Sequence, residues 1–558
     1  MKLQKYIYIV AAIIVVLTLT NCQDLDYNEE TGNTKEEIFN DFARSKNFVS
    51  AIYSFLPTDF SSIDGALRSA ASDDAEHIND LSTVQKFNEG SWSAVQPLDN
   101  VWGNMYAGIR AVNVYLKESE GQQFIDQEYT NTYKNLIQEY NNYPFEVRFL
   151  RAYFYFELVK RYKNVPLIKT VLTPEESATV KQATFQEVVD FIVKECDEVA
   201  AVLPIDYKAF AGVNETGRAT KGAALALKSR ILLYAASPLH NSNPVDITLW
   251  QKAAAAAKQV IDLSTYGLVP SYVNVVNNIS ASPGTELILE RREGASNTFE
   301  RANSPIGFQG GSTGTCPTQN LVDAYEMRTT GLPITDPASR YNPLNPYFGR
   351  DPRLAQTVML NGLPWKGIQV ETFYGGKNGM PITNATKTGY YLRKYLTETI
   401  NLDSQLGPVT TRERNWTIFR YGEILLNYAE AMNEAYGPTN ASTFGVTALQ
   451  AVNLVRRRAL MPVFPATISQ ADFQTKLRNE RRVELAFEDH RFWDIRRWKI
   501  GDETKNIYAM NITRNTNLSL NYEIKLLELR AFDKRMYIYP IPQSELFRNS
   551  NLKQNADW

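Results

Sequence analysis

The sequence predicts a mainly α protein, in which tetratricopeptide-like helix pairs form a scaffold that carries an irregular, turn-rich module containing short strands. Three observations predict it. Apolar residues recur at helical spacing through most of the chain, and several of these stretches open on cap signals. Successive segments follow one another at roughly the 34-residue spacing of helix hairpins, each of which buries its apolar face only against the next. Between Thr265 and Glu413 the texture breaks, and 12 of the chain's 25 prolines fall there.

At the start, Lys2 and Lys5 precede the apolar run 7–19, too short for the roughly 20 residues of a spanning helix and of the length of a signal-peptide core. Leu19-Thr20-Asn21-Cys22 then resembles a lipobox, although Asn21 stands where Gly, Ala or Ser is usual. Residues 1–21 therefore read as a lipoprotein signal peptide, Cys22 as the lipidation site, and 22–33 as a tether made acidic by Asp24, Asp26, Glu29 and Glu30. At about 0.8 kcal/mol per buried methylene, two or three acyl chains hold a protein on a bilayer. An ordinary secretory signal with an incidental cysteine is the competing reading.

Residues 34–264 read as a helical region. Thr34-x-x-Glu37 is a capping box, and Thr184-x-x-Glu187 opens a helix through Val188, Phe191, Ile192 and Val199 that Pro204 ends. The stretches 98–116, 145–162, 221–236 and 249–263 carry the same periodicity, and the alanines of 253–257 allow close helix contact. Cys196 falls on this pattern and reads as a buried thiol, far in sequence from Cys316. Residues 265–413 form the turn-rich module, with glycine runs at 307–314 and 374–379 and short strands over 287–290 and 357–360. Residues 414–558 return to helix over 415–436, 446–460 and 471–488.

Composition excludes several functions. With 59 Lys and Arg against 61 Asp and Glu there is no basic excess for a phosphate backbone, so nucleic acid is not a predicted partner. His77, His240 and His490 stand far apart, and neither CxxC nor HExxH occurs, so no metal is predicted. The acidic stretch from Asp24 fails as a calcium loop at Glu29 and Lys35. Neither the phosphate-loop pattern nor GxGxxG is present, so no cofactor is predicted.

Two groups of residues carry candidate chemistry. Ser72-Asp73-Asp74-Ala75-Glu76-His77 places three acids beside a histidine, open to three readings: a helix cap, hydrogen bonding to a ligand through Asp73 and His77, or the paired carboxylates of a glycoside hydrolase. The second group is drawn from 65 aromatics. Sugar rings expose apolar C–H faces that stack on Trp and Tyr. Trp92 and Trp102, with Trp365, Phe373 and Tyr374 beside glycine turns, are the candidates, and each is also a residue type that closes a helix junction. Phe149, Tyr153, Phe156, Tyr428 and Phe487 sit at helical spacing and read as core.

The run from Asn479 to Trp498, NERRVELAFEDHRFWDIRRW, resembles the C-terminal hallmark of the SusD/RagB family of nutrient-binding outer-membrane lipoproteins. RFLRAY from Arg148, NVPL from Asn164, DPRL from Asp351, RYGEILLNYAEA from Arg420, YPIP from Tyr539 and the ending QNADW agree in order. The resemblance implies a SusD-like fold and a non-catalytic binding protein, lipid-anchored and exposed at the cell surface. It would be the extracellular lid of a SusC-like TonB-dependent transporter. The predicted ligand is an oligosaccharide, with a peptide in the RagB manner as the alternative and a lipid-anchored hydrolase using Asp73 or Asp74 with Glu76 as the rival of another class. By region the resemblance assigns Asp73, His77, Trp92, Trp102, Trp365 and Tyr374 to the pocket. The alternating charges of Arg481, Arg482, Glu484, Glu488, Arg491, Asp494 and Arg497 read as an ion-paired lock between repeats.

Overall fold

The computed structural model describes residues 34–122, 124, 127–208, 215, 217–242, 245–278 and 286–558; the predicted signal peptide, Cys22 and the whole of the tether lie outside the described residues. Its frame is a succession of helices: α1 (Phe42–Tyr53), α2 (Trp102–Glu118), α3 (Tyr133–Tyr162), α4 (Phe185–Val202), α5 (Lys221–Ala236), α6 (Ile247–Asp262), α7 (Tyr421–Tyr436), α8 (Ala448–Arg458), α9 (Gln470–Glu484) and α10 (Arg491–Trp498). From α2 to α8 each helix packs on the next in sequence, as stacked hairpins do. The stack runs across the inserted module, because α6 packs directly on α7 although more than 150 residues separate them. Small residues permit these contacts. Ala253, Ala254, Ala256 and Ala257 are buried on α6, and a Cβ on Gly108 of α2 would lie 2.7 Å from the Phe154 ring of α3.

The cap signals act as written: Thr34 with Glu37 and Thr184 with Glu187 both form reciprocal capping boxes. Other boundaries differ from the pattern reading. The helix predicted over 145–162 begins twelve residues earlier, at Tyr133, and tolerates Pro144 in its interior. The stretch 415–420 is no helix, because Trp416, Thr417, Ile418 and Phe419 favour a strand. There β4 (Trp416–Arg420) pairs antiparallel with β2 (Leu287–Arg291). The helix predicted to 488 stops at Glu484, and Phe487 and Asp489 take positive φ to turn the chain into α10.

The region 414–558 is also not helical throughout. It contains the longest strands among the described residues, β5 (Asn506–Arg514) and β6 (Leu520–Leu529), paired antiparallel as a hairpin. Two short strands, β1 (Ala75–His77) and β3 (Thr315–Pro317), tie the N-terminal stretch to the turn-rich module, with Glu76 opposite Cys316. Cys196 and Cys316 are free, buried thiols. Among the described residues no helix is long and apolar enough to cross a membrane.

The charged hallmark lies inside the molecule. Rather than pairing mostly along its own segment, it gathers partners from distant ones. Glu484 accepts from Arg353, Arg420 and Arg458, and Arg497 holds Glu430 of α7. Only Asp494 bridges within the segment, to Arg481 and Arg497. The lock therefore joins the turn-rich module to the helix stack.

Candidate ligand cleft

Asp73 lies just before β1, 4% exposed, and its carboxylate receives two hydrogen bonds of 2.8 Å from Arg491 and an ion pair of 2.9 Å from Arg482. Arg482 also bonds Asp74 at 2.7 Å. Burial alone would raise the Asp73 carboxyl, but the two guanidinium groups override it and hold the group well below the usual carboxylate range. A general acid needs the opposite displacement and access to substrate. Asp73 and Asp74 thus fasten the N-terminal stretch to the hallmark segment, over 400 residues away in sequence.

His77 is also buried, and burial lowers its pKa. Trp92 is 1% exposed, with ring centroids of Phe87, Tyr539 and Trp558 within 5.0 Å. Trp365 is equally enclosed. Trp102 is 5% exposed, packed on Tyr162 and Tyr106, and lines one wall of a mostly apolar groove of about 680 Å³ beside Pro166 and Leu172. Tyr374 is different. Its side chain is 60% exposed, on a loop whose backbone N–H donates to the Ile512 carbonyl of β5. The structure therefore does not bring the six predicted residues together around one cavity; five lie largely in the interior and Tyr374 alone stands out.

One acid of the same stretch does face a cavity. Glu76 opens into a polar cleft of about 330 Å³, where the N-terminal segment, the turn-rich module and the β5–β6 hairpin meet. Gln85 and Asn88, on the short helix Gln85–Glu89, line it from one side, with Glu89 at its end. Lys387 comes from the module, and Glu528 and Arg530 from the end of the hairpin. Gln85 donates to Glu76 at 2.6 Å, and Asn88 donates to the Gln85 side-chain oxygen at 2.8 Å. Arg530 clamps Glu76, Glu528 and the carbonyls of Ser72 and Ala75. Burial pushes the Glu76 carboxyl up to about 7, with Arg530 opposing. Leu81 stands almost fully in solvent in the loop before the short helix, and Leu529 adds an exposed apolar group. Carboxylates, amides and apolar surface at close quarters are what recognition of a hydroxylated ring requires. Sequence reading missed Gln85, Asn88, Lys387, Glu528 and Arg530 because ordinary polar residues on three distant segments carry no local signal.

Gly310-Gly311-Ser312-Thr313-Gly314 matches the GxSxG pattern of a serine-hydrolase elbow. That elbow needs a strand before the serine and a helix after it. Here a turn precedes Ser312 and β3 follows it, so the context is absent.

Comparison with known proteins agrees with the fold. Residues 285–558 match the model described as the SusD family, and residues 62–233 match one described as starch-binding, associating with the outer membrane. SusD-like protein P25 of Formosa agariphila is 24% identical over 502 residues, covering 86% of this chain and 81% of that protein. A SusD-like protein from Bacteroides fragilis superposes with a TM-score of 0.78 at 29% identity, over 95% of this chain and 99% of that one. A second protein of that organism, described as a SusD-like carbohydrate-binding protein, gives 0.75 at 26% identity over 92% and 100%. With two models of one group covering most of the chain and solved relatives matching it nearly end to end, the chain belongs to the SusD/RagB family.

Proposed function

We propose that this protein is a cell-surface glycan-binding lipoprotein that captures an oligosaccharide in the Glu76–Arg530 cleft and delivers it to a SusC-like TonB-dependent transporter. The polar lining of that cleft carries the reading, and the carbohydrate-binding description of a solved relative supports it. Tyr374, exposed on the loop against β5, lies outside the cleft lining and is the candidate stacking residue for a saccharide that extends past it. Asp73, His77, Trp92, Trp102 and Trp365 act behind the surface, shaping the elements that present it. The protein binds its ligand without cleaving it.

Isothermal calorimetry against a panel of oligosaccharides tests the site. Lys387→Ala and Glu528→Ala each lower the affinity for the bound member at least ten-fold, with circular dichroism unchanged and no product released. Unaltered affinity in both variants would remove the cleft as the site. An extended peptide is the second reading, favoured by one observation: β6 borders the cleft and pairs with β5 alone, leaving its other edge without a strand partner among the described residues. Peptides in the same panel separate the two.

The anchor follows from Cys22. Cells fed labelled palmitate are expected to incorporate it into the wild-type chain, and Cys22→Ala abolishes both the label and sedimentation with membranes. Label retained in Cys22→Ala would refute the lipobox assignment.

A further inference from the structure

We propose that the cleft selects uncharged oligosaccharides and rejects anionic ones, those bearing uronate or sulfate groups. This rests on the glycan reading above and specifies its substrate class.

The lining holds four carboxylates, Glu76, Asp80, Glu89 and Glu528, against two cations, Lys387 and Arg530. Protonation of Glu76 would still leave three acids facing two cations. Arg530 is not available to a ligand, and Lys387 is only partly exposed. Lys387 is in an ion pair with Asp80. Every nitrogen of Arg530 is engaged: its Nε donates to Glu528, one terminal nitrogen to the Ser72 carbonyl, and the other to the Ala75 carbonyl and Glu76.

Recognition of a carboxylate or sulfate relies on a guanidinium fork or an ammonium free to turn toward it. Turning Arg530 outward would strip the counter-charge from Glu76, which is buried, and undo the carbonyl contacts that hold the turn before β1. An incoming anion would therefore meet a lining in which four carboxylates outnumber two cations. Neutral hydroxyls face no such barrier. They donate to the same carboxylates, and hydrogen bonds to an ionised acceptor are the stronger kind. The cleft thus favours sugar hydroxyl donors, and its acids supply both the affinity and the exclusion.

The test uses the full chain in detergent and oligosaccharides matched in backbone but not in charge: mannan against mannuronan, galactan against galacturonan, and neutral against sulfated galactan. The expected result is calorimetric binding of at least one neutral series, with its anionic counterpart at least a hundred-fold weaker. In Glu528→Gln with Glu89→Lys, which turns the lining cationic, that ratio is expected to fall at least ten-fold. An anionic series that binds as tightly as its neutral match would overturn this inference while leaving the glycan reading intact. Absence of binding to every saccharide, neutral or anionic, would overturn both.

Discussion

Replacing Arg420 by alanine is expected to lower the unfolding free energy by about 3–5 kcal/mol, the cost of breaking a buried ion pair by removing one partner. Arg420 closes the end of β4 and is almost fully buried. It donates to Glu286 at 2.8 Å, to the Glu484 carboxylate at 2.8 Å, and to both oxygens of Glu488 at 2.6 and 2.9 Å. Removing it leaves three buried carboxylates with less counter-charge, although Arg353, Arg458 and Lys394 still serve the same acids. Urea unfolding reads the effect directly. A loss under about 1 kcal/mol would show that the neighbouring cations compensate. Arg420→Lys retains the charge but not the fork that spans three acceptors, so it recovers only part of the loss.

The same lattice sets the response to acid. Burial would raise the carboxyls of Glu484 and Glu488, but the surrounding cations, Arg458 and Arg420 on the first and Arg420 and Lys394 on the second, hold both below the ordinary value. Glu430, gripped by Arg497, is likewise held down, at about 2. Depressed carboxylates contribute stability that is fully present above their unfolded value of about 4.3 and is lost as pH falls through the folded one. Stability should therefore fall below about pH 4.3, toward pH 2. In Arg420→Ala the Glu484 and Glu488 carboxyls are less depressed, so the part of the stability that acid removes is smaller than in the wild type.

The helices were legible where the chain writes both a period and a cap: α4 opens at the predicted Thr184 box, and α5 spans the predicted 221–236. The hairpin of β5 and β6 was missed although Leu520, Tyr522, Ile524 and Leu526 alternate with mostly polar residues, as an exposed strand does. Its neighbours in sequence are helical, and that context prevailed. The fate of Asp73 was not legible for another reason. A carboxylate that caps, binds a sugar or meets an arginine looks the same until the fold brings Arg482 and Arg491 to it. The family hallmark revealed the architecture because it is the architecture's own ion lattice. The cleft carried no comparable signature, since its lining comes from three segments that meet only in the folded chain.

Trp92 and Tyr374 make the same point as a paired expectation, for both follow or precede turn residues and looked alike as stacking candidates. Trp92 fills an aromatic nest in which Phe87, Tyr539 and Trp558 converge on its ring. Trp92→Ala empties that space, and large aromatic truncations in a core cost about 3–5 kcal/mol. Because Trp558 packs there while its indole N–H donates to the Ile538 carbonyl, the lesion also loosens the C-terminal segment. Hydrogen exchange is expected to accelerate at 535–558 in this variant. Tyr374→Ala removes a solvent-facing ring and should leave stability within about 0.5 kcal/mol of wild type. If Tyr374 stacks on the sugar, its removal weakens binding at an unchanged urea midpoint, whereas any binding loss in Trp92→Ala tracks the fraction unfolded. Equal urea midpoints for the two variants would mean that the Trp92 ring contributes little to the core. An affinity loss in Trp92→Ala that persisted with the protein fully folded would return that residue to the ligand site.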